Sequence, residues 1–260
     1  GGVVLSLERF NRILTIDPDN RYAVVEPGVT NAALQAALAE HGFFWPPDPT
    51  SAPYSTVGGN LACNAAGPRA VKYGTPRENT LGLMAVTGTG QTLKTGVFTT
   101  KGVVGYDLTR LLVGSEGTLA LITGATLTLT PLPEGKRTLR AVYRDVTAAA
   151  RAVSRIMAQP TVPCALEFMD GTAISLVRDT EGASLPDDAG ALLLIEVDGD
   201  EATLDVAEDT VGNAARGEGL LALDSARSGD EVRALWAARK ALSPSLRKAA
   251  AGKINEDVVV

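Results

Sequence analysis

The stretch Gly105-Tyr-Asp-Leu-Thr-Arg-Leu-Leu-Val-Gly-Ser-Glu-Gly-Thr-Leu-Ala-Leu-Ile122 decides how this chain is read. Its first half carries Leu108, Leu111 and Leu112 at i, i+3, i+4 spacing, which predicts a short helix over 107–113. Gly114 stops that helix as its C-terminal glycine. Ser115, Glu116 and Gly117 then make a turn whose backbone amides face an anionic or carbonyl-rich ligand, because a residue without Cβ lets a ligand come close. From Thr118 to Thr130 a run rich in Leu, Thr and Ile predicts a long strand. An ordinary loop between helix and strand is the alternative, and this stretch alone leaves it open.

A second glycine-rich element lies upstream, and it adds weight to the ligand reading. Pro46-Pro-Asp-Pro-Thr50 is followed by Ser55-Thr-Val-Gly-Gly-Asn-Leu-Ala-Cys-Asn-Ala-Ala-Gly67. The prolines hold the chain extended on approach. Gly58 and Gly59 offer two consecutive amides without side-chain shielding, and a helical turn starting at Asn60 aims its N-terminus the same way. Asn64 and Gly67 bracket another position of close approach, and Tyr73-Gly74 ends the segment.

Composition places the chain among globular proteins. Of 260 residues, 45% are hydrophobic and 21% charged, which excludes a disordered polymer. The net charge of −6, with no Lys/Arg cluster, argues against nucleic acid as a partner. No apolar run reaches the roughly 20 residues of a spanning helix. Cys63 and Cys164 fit neither a zinc knuckle nor a disulfide framework and read as cytosolic free thiols. His41, the single histidine, sits before Gly42 at a helix end and reads as structural. Trp45 and Trp236 read as packing aromatics. No set of residues has metal-ligand spacing.

The pattern of elements predicts an α+β fold in two parts. In the first, 3–6, 13–16 and 22–26 are strand candidates, with a turn at Asp17-Pro-Asp-Asn20. Thr30 caps a helix over 31–40, and 81–87 with 91–94 form a hairpin. Pro131-Leu-Pro-Glu-Gly135 is a linker, so the domains are 1–134 and 135–260. The second part alternates: strands at 138–143, 165–169, 192–197 and 220–223, and helices at 147–158, 171–178, 201–216 and 230–249. That order predicts an antiparallel sheet with helices on one side. Arg239 and Ser243, four residues apart, share a helix face that Pro244 then disturbs. A planar Arg fork is suited to grip a carboxylate. A solvated face is the alternative, since Arg233, Lys240, Arg247 and Lys248 lie close by.

The ordered motifs Ser55-Thr-Val-Gly-Gly-Asn60, Asn64-Ala-Ala-Gly67, Lys72-Tyr-Gly74 and Gly105 to Leu119 resemble the FAD-linked 2-hydroxy-acid dehydrogenases. That group includes the glycolate oxidase FAD-linked subunit, D-lactate dehydrogenase and D-2-hydroxyglutarate dehydrogenase. The resemblance extends to Gly1–Leu14, Val25-Glu-Pro-Gly-Val-Thr30, Leu235–Ser243 and Lys253–Val260, so it spans essentially the whole chain. It implies an FAD-binding domain of the vanillyl-alcohol-oxidase (PCMH) type followed by an α+β substrate or cap domain. It also implies non-covalent FAD, oxidation of a D-2-hydroxy acid to the 2-oxo acid, and an acceptor other than NAD: a quinone, a cytochrome or an electron-transfer flavoprotein. The cofactor contacts it implies are Pro49, Thr56, Gly58, Gly59, Asn60, Asn64, Gly67, Tyr73, Gly74, Glu116, Gly117 and Ile122. Arg239, Ser243 and Lys253 would hold the substrate carboxylate. A cytoplasmic protein, peripheral at the membrane, acting as a homodimer or in a hetero-subunit complex, is the matching expectation.

Against that family the chain reads as truncated at both ends. The family's pyrophosphate loop falls before Gly1, and its catalytic His and a zinc-type metal site fall after Val260. The base is therefore expected outside these residues, and so is any divalent metal. Ala66 and Ala120 each put a methyl where the family often has Gly. Three other readings accompany the enzyme: a non-catalytic FAD-binding subunit, an interaction module without cofactor, and, more distantly, a flavin reductase acting on a nucleotide-sugar.

Overall fold

Short apolar strands separated by Gly, Asn and Asp turns build the first half of the chain. In order these are β1 (Ile13–Asp17), β2 (Tyr22–Val25), α1 (Asn31–Ala39), β3 (Phe43–Phe44), α2 (Val57–Ala62), α3 (Ala70–Tyr73), β4 (Thr80–Thr87), β5 (Thr92–Gly96), α4 (Leu108–Leu112), β6 (Ala120–Thr128) and β7 (Thr130–Pro131). The computed structural model describes residues 2–99, 101–178, 185–249 and 252. It divides into two units, Gly1–Leu132 and Pro133–Val260, a boundary two residues before the expected one.

In the first unit the strands form an antiparallel sheet in the order β1-β2-β6-β4-β5. Asp17 closes the first hairpin by accepting from the Asn20 amide at 2.9 Å, an Asx-type turn. One face buries Ala23, Val25, Leu83, Ala85, Ile122 and Leu127 together with Leu34 and Leu38 of α1 and Val57 and Leu61 of α2. Thr30 caps α1 by accepting from the Ala33 amide.

Three local expectations are corrected. Residues 3–6 form no strand, and Val3 and Val4 are each 97% exposed; an apolar run needs a partner ladder, and none lies beside it among the described residues. The run from Thr118 divides: β6 begins at Ala120 and ends at Thr128, while Thr130–Pro131 pairs with Phe43–Phe44 instead. The helical turn expected from Asn60 starts three residues earlier, because Thr56 caps it through the Gly59 amide.

The second unit contains β8 (Gly135–Tyr143), α5 (Val146–Ala158), β9 (Ala165–Asp170), α6 (Gly171–Val177), β10 (Ala191–Gly199), α7 (Glu201–Ala215), β11 (Leu220–Ala226) and α8 (Gly229–Ala249). Its antiparallel sheet has the order β11-β8-β10-β9. Helices cover both faces rather than one. Leu193, Ile195 and Val197 pack with α5 and α7, while Leu192 and Leu194 pack with α6 and α8. The signal is in the sequence: Ala191–Val197 is apolar at almost every position, the mark of a strand buried on both sides. Helix α8 continues through Pro244 rather than ending there. Among the described residues no helix is long and apolar enough to cross a membrane.

Candidate functional site

The turn Glu26-Pro-Gly-Val29 after β2 is the hub from which the site is built. On one side the Val57 and Gly58 amides donate to Val29 O and Pro27 O, both at 2.8 Å, docking α2 onto the turn. On the other, the Gly28 amide donates to Phe10 O at 2.6 Å and holds the chain before β1. Both approaches need bare glycine. A Cβ on Gly58 would lie 2.5 Å from Pro27 Cβ, and one on Gly28 would lie 2.5 Å from Leu7 O.

The two glycine-rich elements meet at the far end of α2. The Gly114 amide donates to Leu61 O at 2.9 Å and the Glu116 amide to Ala62 O at 3.0 Å, so the turn after α4 receives the last carbonyls of α2. Between these walls lies a cleft of about 360 Å³. Thr56, Gly58, Gly59 and Ala62 form one side, Ser115, Gly117 and the start of β6 from Ala120 to Ile122 another, and Leu5, Leu7, Glu8 and Gly28 the rest. Among the described residues, Glu8 is the only charged side chain in the lining.

Five of the residues singled out in the sequence, Thr56, Gly58, Gly59, Gly117 and Ile122, line this cleft. The Gly58 amide is bonded to Pro27 O and the Gly59 amide to Thr56 Oγ1 at 3.2 Å, so both have partners within the chain. What Gly59 supplies is open room, since a Cβ there would meet only Thr56 Oγ1, at 3.4 Å. Gly117, at φ 76°, likewise has no atom within 4 Å of a would-be Cβ.

The other seven lie outside the lining. Buried Asn60 accepts through Oδ1 from Asn31 Nδ2 at 3.0 Å, and Asn31 Nδ2 also donates to Pro47 O at 3.0 Å. Gly67, at φ 79°, abuts the proline loop: a Cβ would lie 2.1 Å from Asp48 O and 2.8 Å from Pro49 N. Asn64 accepts from the Arg77 amide at 3.2 Å, and Arg77 Nε donates to Val113 O at 3.1 Å. Tyr73 packs edge-on to Phe44 with ring centroids 5.3 Å apart, and Gly74 ends α3 against Glu78. Glu116 is exposed, at φ 52°.

Ser115, read from the sequence as part of the ligand-facing turn, lines the cleft, whereas sequence reasoning missed Leu5, Leu7, Glu8, Gly28, Ala62 and Leu121 as lining residues. Of these only Gly28, in its Pro-Gly turn, carried a local signal; the rest reach the cleft through tertiary contacts. Behind the hub, Arg12 grips the Glu26 carboxylate with Nη2 at 2.7 Å and Nε at 3.2 Å, while its own amide donates to Glu26 Oε2 at 2.8 Å. Hydrogen bonding from Arg12 holds the Glu26 carboxyl below the usual carboxylate range.

In the second unit Arg239 is half-buried on α8, and its Nε donates to Glu167 Oε2 of β9 at 2.7 Å. One turn earlier Trp236 Nε1 donates to Glu196 Oε1 at 2.9 Å; Glu196 also accepts from Thr138 Oγ1 and Lys136 Nζ, both at 3.0 Å. The backbone of Ser243 lies in α8, and Lys253 lies outside the described residues. Cys63 is exposed at the end of α2 and is not part of the cleft lining, whereas burial pushes the Cys164 thiol up. Among the described residues no group of three His, Cys, Asp or Glu side chains is placed to hold a metal ion.

A family model described as an FAD binding domain matches residues 1–96, and one described as the C-terminal domain of FAD linked oxidases matches residues 132–260. The chain is 40% identical over 260 residues to the glycolate oxidase subunit GlcD of Bacillus subtilis, covering all of this chain and 55% of that protein. It is 38% identical over 258 residues to GlcD of Escherichia coli K12, covering 98% and 50%. A D-lactate dehydrogenase of Archaeoglobus fulgidus is 42% identical over 181 residues, 70% of this chain and 40% of the relative. The chain thus spans about half the length of the curated relatives it matches. A solved alkyldihydroxyacetonephosphate synthase superposes with a TM-score of 0.74 over 93% of this chain and 46% of that one; at 21% identity this likeness concerns the fold alone.

Proposed function

We propose, since this chain belongs to the FAD-linked oxidases, that it binds FAD non-covalently and oxidises a D-2-hydroxy acid such as D-lactate or glycolate to the 2-oxo acid. Electrons then pass to an acceptor other than NAD. The observation that carries this reading is the convergence of the two glycine-rich elements on one cleft in the first unit.

The residues present fit part of the cofactor. Apolar walls, a single acidic side chain and Gly58 and Gly59 amides engaged within the chain suit the flat flavin ring better than a pyrophosphate. A volume of about 360 Å³ sits at the low end of the roughly 300–1,000 Å³ of whole-ligand pockets, so this cleft takes one portion of a dinucleotide. FAD, when bound, supplies the two-electron acceptor. Gly59 and Gly117 keep two walls open, and the Thr56 hydroxyl, whose oxygen accepts from the Gly59 amide, still has its proton to donate into the cleft. Asn60, Asn64, Pro49, Gly67, Tyr73, Gly74 and Glu116 serve the same site by holding the flanking loops.

Arg239 is the residue assigned to the substrate carboxylate, with Ser243 and Lys253 as companions. Glu167 engages the Nε edge of its guanidinium, and the fork geometry of the terminal nitrogens suits a carboxylate. Two of the relatives are named as subunits, and we read this chain as a subunit of a cytoplasmic complex in the same way.

The test is an absorbance scan of the protein purified without added cofactor, before and after anaerobic D-lactate, glycolate or D-2-hydroxyglutarate. Flavin bands that one acid bleaches support the reading and identify the substrate. Bound flavin that no hydroxy acid reduces replaces it with a non-catalytic FAD-binding subunit. A colourless protein that also refuses added FAD overturns it.

A further inference from the structure

We propose that the Arg12–Glu26 ion pair is a clamp that seats the segment Leu5–Phe10 as a wall of the cleft, which makes both residues positioning residues for the flavin. The proposal rests on the FAD reading above and goes beyond it in naming what holds the cleft in shape.

Leu5, Leu7 and Glu8 line the cleft, yet this segment belongs to no strand. Its attachments converge on the hub turn. The Phe10 amide donates to Leu7 O at 2.9 Å and tightens the segment on itself, and the Gly28 amide donates to Phe10 O at 2.6 Å. The Glu26 amide donates to Arg12 O at 3.0 Å, the Arg12 amide returns a bond to Glu26 Oε2, and the guanidinium closes the loop on the same carboxylate. Backbone and side chain of one residue thus both grip the other, which fixes direction as well as distance.

The two partners differ in environment. The Glu26 side chain is 8% exposed and that of Arg12 is 72% exposed. The carboxylate is therefore the rigid half, anchored beside the turn that also receives the Val57 and Gly58 amides of α2. The turn that follows Glu26 connects one cleft wall to the other: Phe10 hangs from Gly28, and Gly58 hangs from Pro27. Removing the guanidinium leaves a buried carboxylate short of its main partner, a state that is relieved only by moving the turn or admitting water. Either response shifts the lining residues on both sides.

The test compares R12A, R12K and E26Q with the parent, all as holoprotein from which FAD is removed and then titrated back, followed by flavin fluorescence and visible circular dichroism. The expected result is a roughly tenfold rise in the FAD dissociation constant for R12A, with an altered flavin dichroism in the refilled protein. R12K, which keeps the charge but cannot span both oxygens, recovers part of the affinity. E26Q, which keeps the shape and one acceptor, falls between parent and R12A. The clamp is refuted by a parent-like dissociation constant and dichroism in R12A, or by R12K showing the full R12A defect. A parent that takes up no FAD removes the cofactor reading itself and the clamp with it.

Discussion

Gly58 and Gly59 are neighbours in sequence, yet a methyl added to each should act with opposite sign. At Gly58 the new Cβ would stand 2.5 Å from Pro27 Cβ and 2.9 Å from Pro27 O. Neither atom is the end of a flexible side chain, so α2 must move off the hub turn. Overpacking of this kind costs about 1–3 kcal/mol, offset by the ~0.5–1 kcal/mol that Ala gains over Gly in a helix. The balance spans about 0–2.5 kcal/mol of loss, and the contact with backbone places Gly58 in its upper half. At Gly59 the Cβ meets only Thr56 Oγ1, at 3.4 Å, and the helix gain stands almost alone. With about 2–4 °C per kcal/mol, the melting midpoint of apo G58A should fall by several degrees while that of G59A rises by one to three. Flavin binding should then separate from stability in G59A, because its methyl opens onto the cleft. We expect FAD affinity about tenfold weaker in a protein that melts higher. Scanning calorimetry of the apo forms and fluorescence titration with FAD provide both readings. A G59A protein that melts below its parent, or two variants that behave alike, would refute the assignment of Gly58 to packing and Gly59 to the cleft.

Other consequences are open to direct measurement. Asn60→Leu leaves one hydrogen of Asn31 Nδ2 unpaired in the core while the other keeps Pro47 O, and should lower unfolding stability by about 1–3 kcal/mol in a urea titration, well beyond the cost of an exposed Asn change. Arg239→Met should raise the KM for the hydroxy acid by about 10- to 100-fold while leaving flavin content at parent level; an unchanged KM would remove Arg239 from the substrate site. Burial pushes the Tyr143 phenol, which donates to Ala215 O at 2.7 Å, up to about 12 from an ordinary 10.0. The unfolded chain releases this proton first, so stability is level below pH 10 and falls as pH rises from there toward 12. In Tyr143→Phe that alkaline loss should shrink, as read from guanidinium midpoints across the range.

Much of the secondary structure was legible because periodicity and capping are local. Thr30, Asp145 and Asp170 each cap a helix through an amide three residues on, and the helix ends follow from them within a residue or two. The sheet order and the helices on both faces of the second unit were not legible in the same way, although the unbroken apolar run of β10 pointed to the latter. At the site the glycines were conspicuous, but the fate of their amides was not. Nothing in Ser-Thr-Val-Gly-Gly tells that Pro27 O takes one amide and Thr56 Oγ1 the other.

By itself the sequence determined which residues can do without a side chain, which runs are apolar on one face or two, and where helices begin. Those properties depend on a handful of neighbouring residues and on the sterics of the backbone. Only the tertiary structure decided that Gly59 and Gly117 face one cleft, that the Asn60 carboxamide pairs with Asn31 in the core, and that Leu5 to Glu8 form a wall. Those outcomes depend on contacts between segments far apart in the chain, where a hydrogen bond from Gly114 to Leu61 or an ion pair from Arg12 to Glu26 has no local signature.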